Sequence, residues 1–429
     1  MKLHPLLVRA VAQALYAIFQ ENRYADKVVE HALRQNPKAG SRDRAFIAET
    51  TYEIVRYFRW YAEISGHTPE TEADYWKIVG IHLICTAKPD SPAQEKSRGV
   101  FTRISLTAPT ESRDGGILPD WVEFKSLDAE AIRAKAATLA RKRSIRESLP
   151  DWLDQLGEQE LGERWNETLN WLNRPAEVVL RTNRLKTDRA ALQALLQNEH
   201  IETRAIGTAD ALVLQARKNV FQTQAFKKGL FEVQDYSSQL VAPLLAPEPG
   251  MRVVDACAGG GGKTLHLAAL MQGRGQLIAL DTFAWKLDEL KHRARRAGAS
   301  NIDTRPIENR KTIKRLYNSA DRLLLDVPCS GIGVWRRNPD SKWKLTPASL
   351  ESLRATQQEI LQFYSPVVKP GGRMVYATCS ILPSENQEQV TRFLDSEAGK
   401  NFRLMEEKRI LPQDEGFDGF YIALLERVV

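Results

Sequence analysis

The chain contains little cysteine, no long apolar run and no metal-binding spacing. Its four cysteines in 429 residues are scattered, include no CxxC pair and cannot make a disulfide framework. We therefore expect no metal and a reducing, cytoplasmic compartment. No stretch approaches the roughly 18 apolar residues that a membrane helix needs, and the N-terminus has no small-residue cleavage site of a secretory signal. The sequence thus gives no reason to expect a membrane partner.

The composition is typical of a globular protein with several domains. Apolar residues make up 43% and charged residues 27% of the chain, and the length predicts about three domains at ~150 residues each. We see no internal repeat. The changes in pattern described below predict a helical domain at 1–145, a small α/β linker domain at 146–245 and a third domain at 246–429. We expect a monomer.

The positive charge is distributed in four groups along the chain. The formal net charge is +7. A single basic group is more often a solvated helix face, but four groups in one chain favour a polyanionic partner. The groups are Arg133, Lys135, Arg141, Lys142, Arg143 and Arg146; Lys291, Arg293, Arg295 and Arg296; Lys311, Lys314 and Arg315; and Arg336, Arg337, Lys342 and Lys344.

Helical periodicity is confined to the first part of the chain. Apolar residues recur every three to four positions in 7–18 and 41–58, which predicts helices, and the charged region 126–172 is also predicted to be helical. Residues 86–118 are rich in Pro, Ser, Thr and Gly and favour a loop. Short apolar runs between 178 and 233 predict the strands of a small α/β unit.

From residue 251 onward, strands and helices alternate with the spacing of βαβ units. This pattern predicts an α/β fold with a parallel, doubly wound, Rossmann-like sheet. It is preceded by the small α+β domain and the all-α N-terminal domain. The predicted strands are 252–255, 276–281, 323–326 and 373–378, and the predicted helices are 263–272, 284–297 and 347–368.

A glycine-rich loop follows the first of these strands, in Asp255-Ala256-Cys257-Ala258-Gly259-Gly260-Gly261-Gly262-Lys263-Thr264. The glycines let the backbone approach a ligand closely at the start of a helix. The end of the loop matches a phosphate-binding P-loop, but that pattern needs glycine at position 257, which is cysteine. The P-loop interpretation therefore fails.

Two acids at later strand ends favour a nucleoside cofactor. Asp281 has the spacing of the carboxylate that binds ribose hydroxyls in Rossmann-type sites. A further carboxylate, Asp326, suits the positive sulfonium of S-adenosylmethionine. A dinucleotide is the alternative, although the loop lacks GxGxxG, and a glycine-rich turn without a ligand also stays open.

Two cysteines directly follow strand-like runs, in Asp326-Val327-Pro328-Cys329-Ser330-Gly331 and Ala377-Thr378-Cys379-Ser380. Because ligands bind at the carboxyl ends of strands in α/β sheets, both thiols are expected to point at a site. Such a pair suits chemistry in which one thiolate attacks and a second group assists release. The alternative for either residue is an inert, buried cysteine.

Taken in order, these motifs resemble those of the Nop/Sun family of RNA cytosine-5 methyltransferases over about residues 148–429. The N-terminal residues 41–46 resemble the NusB-like RNA-binding domain that marks the bacterial 16S rRNA methyltransferase B branch. The chain departs from the family pattern at Gly259-Gly260, where Ala-Pro is usual, and at Glu308, where Asp is usual. The similar segments are Arg181-Thr182-Asn183, Gln234-Asp235-Tyr236-Ser237-Ser238-Gln239, residues 254–264, Asp326-Val327-Pro328-Cys329-Ser330-Gly331, Gly333-Val334-Trp335-Arg336-Arg337-Asn338-Pro339-Asp340 and Tyr376-Ala377-Thr378-Cys379-Ser380.

The resemblance implies an enzyme that methylates carbon 5 of cytosine in RNA, with rRNA favoured over tRNA. It implies that Cys379 adds to carbon 6, that Cys329 assists release and that Asp326 hydrogen-bonds the ring. Three basic residues are candidates for phosphate contacts, with ordinary surface charge as the alternative; they are Arg336, Arg337 and Lys342. The implied cofactor-binding residues are Cys257, Ala258, Gly259, Gly260, Gly261, Gly262, Lys263, Asp281, Glu308 and Asp326.

Other functions stay open. A DNA cytosine methyltransferase uses the Pro-Cys cysteine as its nucleophile, which would give the attack to Cys329 instead of Cys379. A tRNA methyltransferase would share all the motifs of the catalytic domain. A non-catalytic RNA-binding or assembly factor would keep the fold without turnover.

Overall fold

A computed structural model describes residues 3–87 and 118–428. The loop predicted at 86–118 lies outside the described residues except at its ends. The chain divides into two compact units. One comprises Met1–Arg174 and Trp335–Leu345, and the other comprises Pro175–Val334 and Thr346–Val429. In this division the first unit continues to residue 174. The predicted domain boundaries after residues 145 and 245 stay predictions.

The elements follow one another in the predicted order. The described helices are α1 Pro5–Phe19, α2 Ala25–Gln35, α3 Ser41–Arg56, α4 Phe58–Ser65, α5 Glu72–Thr86, α6 Ala129–Leu139, α7 Arg143–Arg146, α8 Asp151–Leu161, α9 Arg164–Leu172, α10 Arg189–Asn198, α11 Gln224–Lys227, α12 Tyr236–Gln239, α13 Val241–Leu245, α14 Gly262–Leu270, α15 Ala284–Ala297, α16 Arg310–Lys314, α17 Ser341–Lys344, α18 Pro347–Tyr364, α19 Gln387–Leu394 and α20 Pro412–Glu415. The strands are β1 Val179–Thr182, β2 Thr203–Ala205, β3 Ala211–Leu214, β4 Phe231–Val233, β5 Arg252–Asp255, β6 Gln276–Asp281, β7 Ile302–Pro306, β8 Ala320–Asp326, β9 Val368–Thr378, β10 Phe402–Ile410 and β11 Phe420–Arg427.

The first unit is a bundle of helices around one apolar core. Helix α1 begins with Pro5 in its first turn, where a missing N–H costs nothing, and the His4 side chain accepts a hydrogen bond from the Leu6 amide at 3.2 Å. Its apolar face, including Val11 and Leu15, is fully buried against α3 and α5. The helical periodicity read from the sequence is thus the periodicity of the core.

The segment 335–345 belongs to this helical unit. Trp335 is buried, and the buried Arg56 guanidinium of α3 donates to the carbonyl oxygens of Trp335 at 3.3 Å and Arg336 at 3.1 Å. The Trp343 indole donates to the Val55 carbonyl at 2.7 Å. Two tryptophans and a buried guanidinium therefore fix this segment in the helical core.

The second unit begins with a four-stranded antiparallel sheet in the order β2-β3-β1-β4. Helix α10 packs on β2 and β3, and Asp188 caps it by accepting from the Ala191 amide at 2.9 Å. All four residues of β1 are buried, because both faces of this small sheet are covered. The short apolar runs between 178 and 233 are the strands that the sequence predicts.

The larger sheet has seven strands in the order β10-β11-β9-β8-β5-β6-β7. Strands β7, β6, β5, β8 and β9 are parallel, β11 is antiparallel to β9, and β10 is antiparallel to β11. The predicted doubly wound, Rossmann-like sheet is confirmed, with an antiparallel pair added at one edge. The chain reverses direction across the sheet between β5 and β8, which is where ligands bind in folds of this class. No helix in the described residues is long and apolar enough to cross a lipid bilayer.

Candidate active site

Four loops meet at the carboxyl edge of the parallel strands. Strands β5, β6 and β8 end in Asp255, Asp281 and Asp326, and β9 ends in Thr378, directly before Cys379. Since β5 pairs with both β6 and β8, and β8 with β9, these ends are neighbours. The three aspartates and Cys379 therefore lie at the carboxyl edge of the sheet. The sequence predicts them at this edge.

The glycine loop, residues 256–262, is tied to the end of β6. The Asp281 carboxylate accepts from the Gly259 amide at 2.9 Å and from the Phe283 amide at 2.8 Å. Gly261 has φ +85°, and a Cβ atom there would lie 2.1 Å from the Leu290 Cδ1 atom. Glycine at 261 is therefore required by both the backbone conformation and the space.

Two arginines hold carbonyl groups of the glycine loop. Arg293 Nη1 donates to the Gly260 carbonyl at 2.6 Å, and the buried Arg181 donates to the Gly262 carbonyl at 2.7 Å. Arg181 also donates to the Gln234 side chain. Burial lowers the pKa of Arg181 to about 10, so the guanidinium is still charged at neutral pH. Because each bond fixes a peptide plane, the arginines set the shape of the loop.

A cleft of about 420 Å³ lies beside this loop. It has the size of a small-molecule site, and it combines the Asp281 carboxylate and the Cys257 thiol with the apolar walls of Phe283, Ile307 and Tyr364. A carboxylate facing an apolar slot suits an adenosine group. Glu308 is exposed and does not line the cleft, although its neighbours Ile307 and Asn309 do. Sequence reasoning missed the aromatic walls, which lie on α18 and just after β6.

A cation lies at the end of β8. Lys263 Nζ contacts the Asp326 carboxylate at 2.8 Å and lies 5.0 Å from the centre of the Phe420 ring. The buried Asp255 carboxylate accepts from the Thr264 hydroxyl at 2.7 Å, and burial raises the pKa of Asp255 to about 7. Two of the predicted site residues, Lys263 and Asp326, therefore lie at the first turn of α14 together with the buried Asp255.

The two motif cysteines form a close pair of thiols. Cys329 Sγ and Cys379 Sγ are 3.4 Å apart, and both residues are partly buried. The contact with Cys379, followed by burial, raises the pKa of the Cys329 thiol well above its usual value. Burial, followed by nearby carboxylates, also raises the pKa of Cys257. Cys329 and Cys257 therefore favour the neutral thiol.

A buried carboxylate that the sequence analysis missed joins the two cysteine turns. Glu385 is fully buried and accepts from the Ser330 and Ser380 hydroxyls, each at 2.5 Å, and from the Ser330 amide at 2.8 Å. Gln357 of α18 donates to Glu385 at 3.0 Å and to the Pro328 carbonyl at 2.9 Å. In the sequence, the serine that follows the cysteine in both motifs was the signal that could have indicated a common hydrogen-bond partner.

Two of the three residues predicted to contact phosphate are buried. Arg336 and Lys342 are buried in the helical unit, where Lys342 Nζ contacts the Asn173 side chain at 3.4 Å and burial lowers the pKa of Lys342 well below its usual value. Side chains enclosed in a core have no access to a phosphate, so the structure gives no support to this role for Arg336 and Lys342. Arg337 is partly exposed, and its role stays a prediction.

The chain is similar to characterised families along most of its length. A family described as 16S rRNA methyltransferase RsmB/F matches residues 242–426, and the ferredoxin-like domain of the same group matches residues 149–221. The probable ribosomal RNA small subunit methyltransferase B of Synechocystis sp. is 33% identical, covering 96% of this chain and 97% of the relative. The ribosomal RNA small subunit methyltransferase B of Shewanella oneidensis is 34% identical, covering 91% and 92%.

Solved structures share the fold. The crystal structure of PH0851 has a TM-score of 0.77 at 23% identity and covers all of both chains. A methyltransferase homolog protein from Pyrococcus horikoshii has a TM-score of 0.60 at 25% identity, covering 67% of this chain and 98% of that one. The resemblance read from the motifs is confirmed by the relatives, and the glycine loop and its cleft fit S-adenosylmethionine. The chain belongs to the RsmB/F family of S-adenosylmethionine-dependent 16S rRNA methyltransferases.

Proposed function

We propose that this chain methylates carbon 5 of a cytosine in 16S rRNA through a covalent bond between Cys379 and carbon 6 of the base. The observation that carries the proposal is the 3.4 Å approach of the Cys329 and Cys379 sulfurs at the edge of the sheet that carries the glycine loop. The names of the relatives support rRNA as the substrate class. A cytoplasmic location and a monomeric state stay predictions.

The attack requires a thiolate because carbon 5 of cytosine is a poor nucleophile. When the Cys379 thiolate adds to carbon 6, the ring becomes an enamine whose carbon 5 can accept a methyl group. S-adenosylmethionine supplies that methyl group as an electrophile. In this mechanism Asp326 hydrogen-bonds ring nitrogen 3 or the exocyclic amine and stabilises the adduct, and the Lys263 contact at 2.8 Å supports its orientation.

Release begins when a general base, a water molecule or a carboxylate at the site, takes the proton from carbon 5. Its electron pair re-forms the double bond between carbons 5 and 6, the bond from carbon 6 to sulfur breaks, and Cys379 departs as a thiolate. Cys329 is close enough to the reacting sulfur to assist this step. The raised pKa of Cys329 keeps it a thiol, which is a poor nucleophile, and this supports attack by Cys379.

The target base must leave its stack to expose carbon 6 to a thiol at the edge of the sheet. Single-stranded or loop RNA offers such a base at low cost. This requirement favours an unpaired cytosine in 16S rRNA.

Single cysteine variants test the proposal. We expect Cys379→Ala to abolish methylation of 16S rRNA, and Cys329→Ala to accumulate a covalent protein–RNA adduct on a denaturing gel. Cys85→Ala, in the core of the helical unit, is the matched control and should do neither. Loss of the adduct in Cys329→Ala together with activity in Cys379→Ala would exchange the two roles, as in DNA cytosine methyltransferases.

A further inference from the structure

Glu385 lies between the two cysteine turns and touches both. It is located in the turn Pro383–Glu385, just before α19, and its side chain is completely buried. Its partners Ser330 and Ser380 are the residues immediately after Cys329 and Cys379, and their own hydroxyl oxygens are 3.3 Å apart. One carboxylate therefore spans the gap between the ends of β8 and β9.

The donors around this carboxylate are neutral. They are the two serine hydroxyls, the Ser330 amide and the Gln357 side chain. A buried carboxylate is costly unless hydrogen bonds replace its water, and these four bonds do so without a cation. Since no positive charge among these donors cancels its field, the carboxylate acts on groups nearby.

The charge of Glu385 acts on the thiol of Cys329. A negative charge disfavours a thiolate. Glu385 is one of the groups that raise the pKa of Cys329, after the contact with Cys379 and burial. The same side chain therefore provides both a mechanical link and a charge.

We propose that Glu385 is a positioning residue that fixes the two cysteine turns against each other and keeps Cys329 protonated, so that Cys379 is the thiol that attacks. The proposal rests on the proposed roles of the two cysteines. A second link acts on the same turn, because the Gly333 amide donates to the Cys379 carbonyl at 3.0 Å. That link holds the backbone of the Cys379 turn, and Glu385 holds the residue after each thiol.

The direct test is the variant Glu385→Gln, with Glu388→Gln as the matched control. Glu388 is exposed and lies only three residues along the chain. We would alkylate each protein with iodoacetamide at several pH values between 7 and 9, without RNA or cofactor, and measure the rate of modification of Cys329 and Cys379 by mass spectrometry. Below the raised pKa of Cys329 this rate follows the small fraction of thiolate. In Glu385→Gln the rate at Cys329 should rise about tenfold, whereas Glu388→Gln should match the unmodified protein. An unchanged rate in Glu385→Gln overturns the proposal.

A second pair of variants tests the mechanical link while the charge stays. Ser330→Ala and Ser380→Ala each remove one hydroxyl donor to Glu385. We expect kcat for methylation to fall roughly tenfold to a hundredfold, since small displacements of reacting groups cost that much, with the KM for S-adenosylmethionine unchanged. Full kcat in both variants overturns the positioning role, even if Glu385→Gln fails to fold.

The two tests also separate this inference from the proposed function. Alkylation is read without RNA, so it reports on Glu385 even if the chain methylates a different base. If alkylation shifts as expected while Cys379→Ala remains active, the proposed roles of the cysteines fail and the effect of Glu385 on Cys329 stands.

Discussion

The glycine loop and the two cysteine turns lie on the same edge of one sheet, but opposite charges hold them. Guanidinium groups of Arg181 and Arg293 fix the glycine loop by donating to its carbonyls. The Glu385 carboxylate fixes the cysteine turns by accepting from amide and hydroxyl groups. Two carbonyls of the glycine loop are thus held by cations, in addition to the contact between the Gly259 amide and Asp281, whereas one carboxylate holds donors from both cysteine turns.

The difference in the charge that holds each region suits the chemistry of that region. The glycine loop faces a cofactor that needs a defined backbone, and a positive charge behind the carbonyls shapes it. The thiols need control of protonation, and a negative charge provides it. The two regions should therefore respond to separate substitutions.

The largest effect is expected from Gly261→Ala. The added Cβ would meet Leu290 Cδ1 at 2.1 Å, and the residue would have to keep φ +85°. We expect the affinity for S-adenosylmethionine, measured by calorimetry, to fall about a hundredfold, with the alkylation profile of Cys329 unchanged. Gly262→Ala is the matched control, because a Cβ at 262 has no neighbour within 4 Å. Similar losses in both variants would show that steric fit at 261 is not the cause.

A smaller effect is expected from Arg181→Gln. The shorter, neutral side chain cannot reach the Gly262 carbonyl in the same way, so the loop should lose one of its fixed peptide planes. We expect the KM for S-adenosylmethionine to rise about tenfold, the size of a hydrogen bond to a charged group, while kcat changes little. Arg204→Gln, an exposed arginine on β2, serves as the control. A fall in kcat without a change in KM would place Arg181 in the chemical step instead.

The smallest effect is expected from Asp255→Asn, at the buried carboxylate that ends β5. Burial raises the pKa of Asp255 from 3.8 to about 7. The folded state therefore favours its proton, and this contribution to stability is complete below pH ~4 and lost as the pH rises through 7. Between pH 6 and 8 the natural protein should lose about 1 kcal/mol of unfolding free energy from this group, a loss absent in Asp255→Asn.

Urea unfolding at the two pH values measures this difference. Asp395→Asn, at an exposed position, should keep the pH dependence of the natural protein. Equal pH dependence in Asp255→Asn and the natural protein would mean that Asp255 is ionised throughout this range.

The inner parallel strands β5, β6, β8 and β9 were predictable because burial on both faces gives continuous apolar runs. Strands β10 and β7 were missed for the opposite reason. Strand β10 lies at an edge and carries charged residues such as Glu406 and Lys408 on exposed positions, and β7 is only partly buried. Charged edge strands resist unwanted pairing, and the same charges hide them from a search for apolar periodicity.

The site was predictable where a motif places a residue at a strand end, as for Asp281, Asp326 and Cys379. It was not predictable where the partner comes from a distant turn, as for Glu385. The charges of Arg336 and Lys342 suggested a surface, but both residues are buried. The tryptophans Trp335 and Trp343 in the same segment were the better signal, since a pair of indoles so close together usually marks a core.

The segment 335–345 has a consequence for synthesis of the protein on the ribosome. The helical unit is translated first, but the two tryptophans that complete its core follow about 160 residues after Arg174. A chain emerging from its N-terminus can therefore form the early helices yet cannot close the unit until the first cysteine motif has been made. The helical unit is therefore completed only after Cys329 has been synthesised.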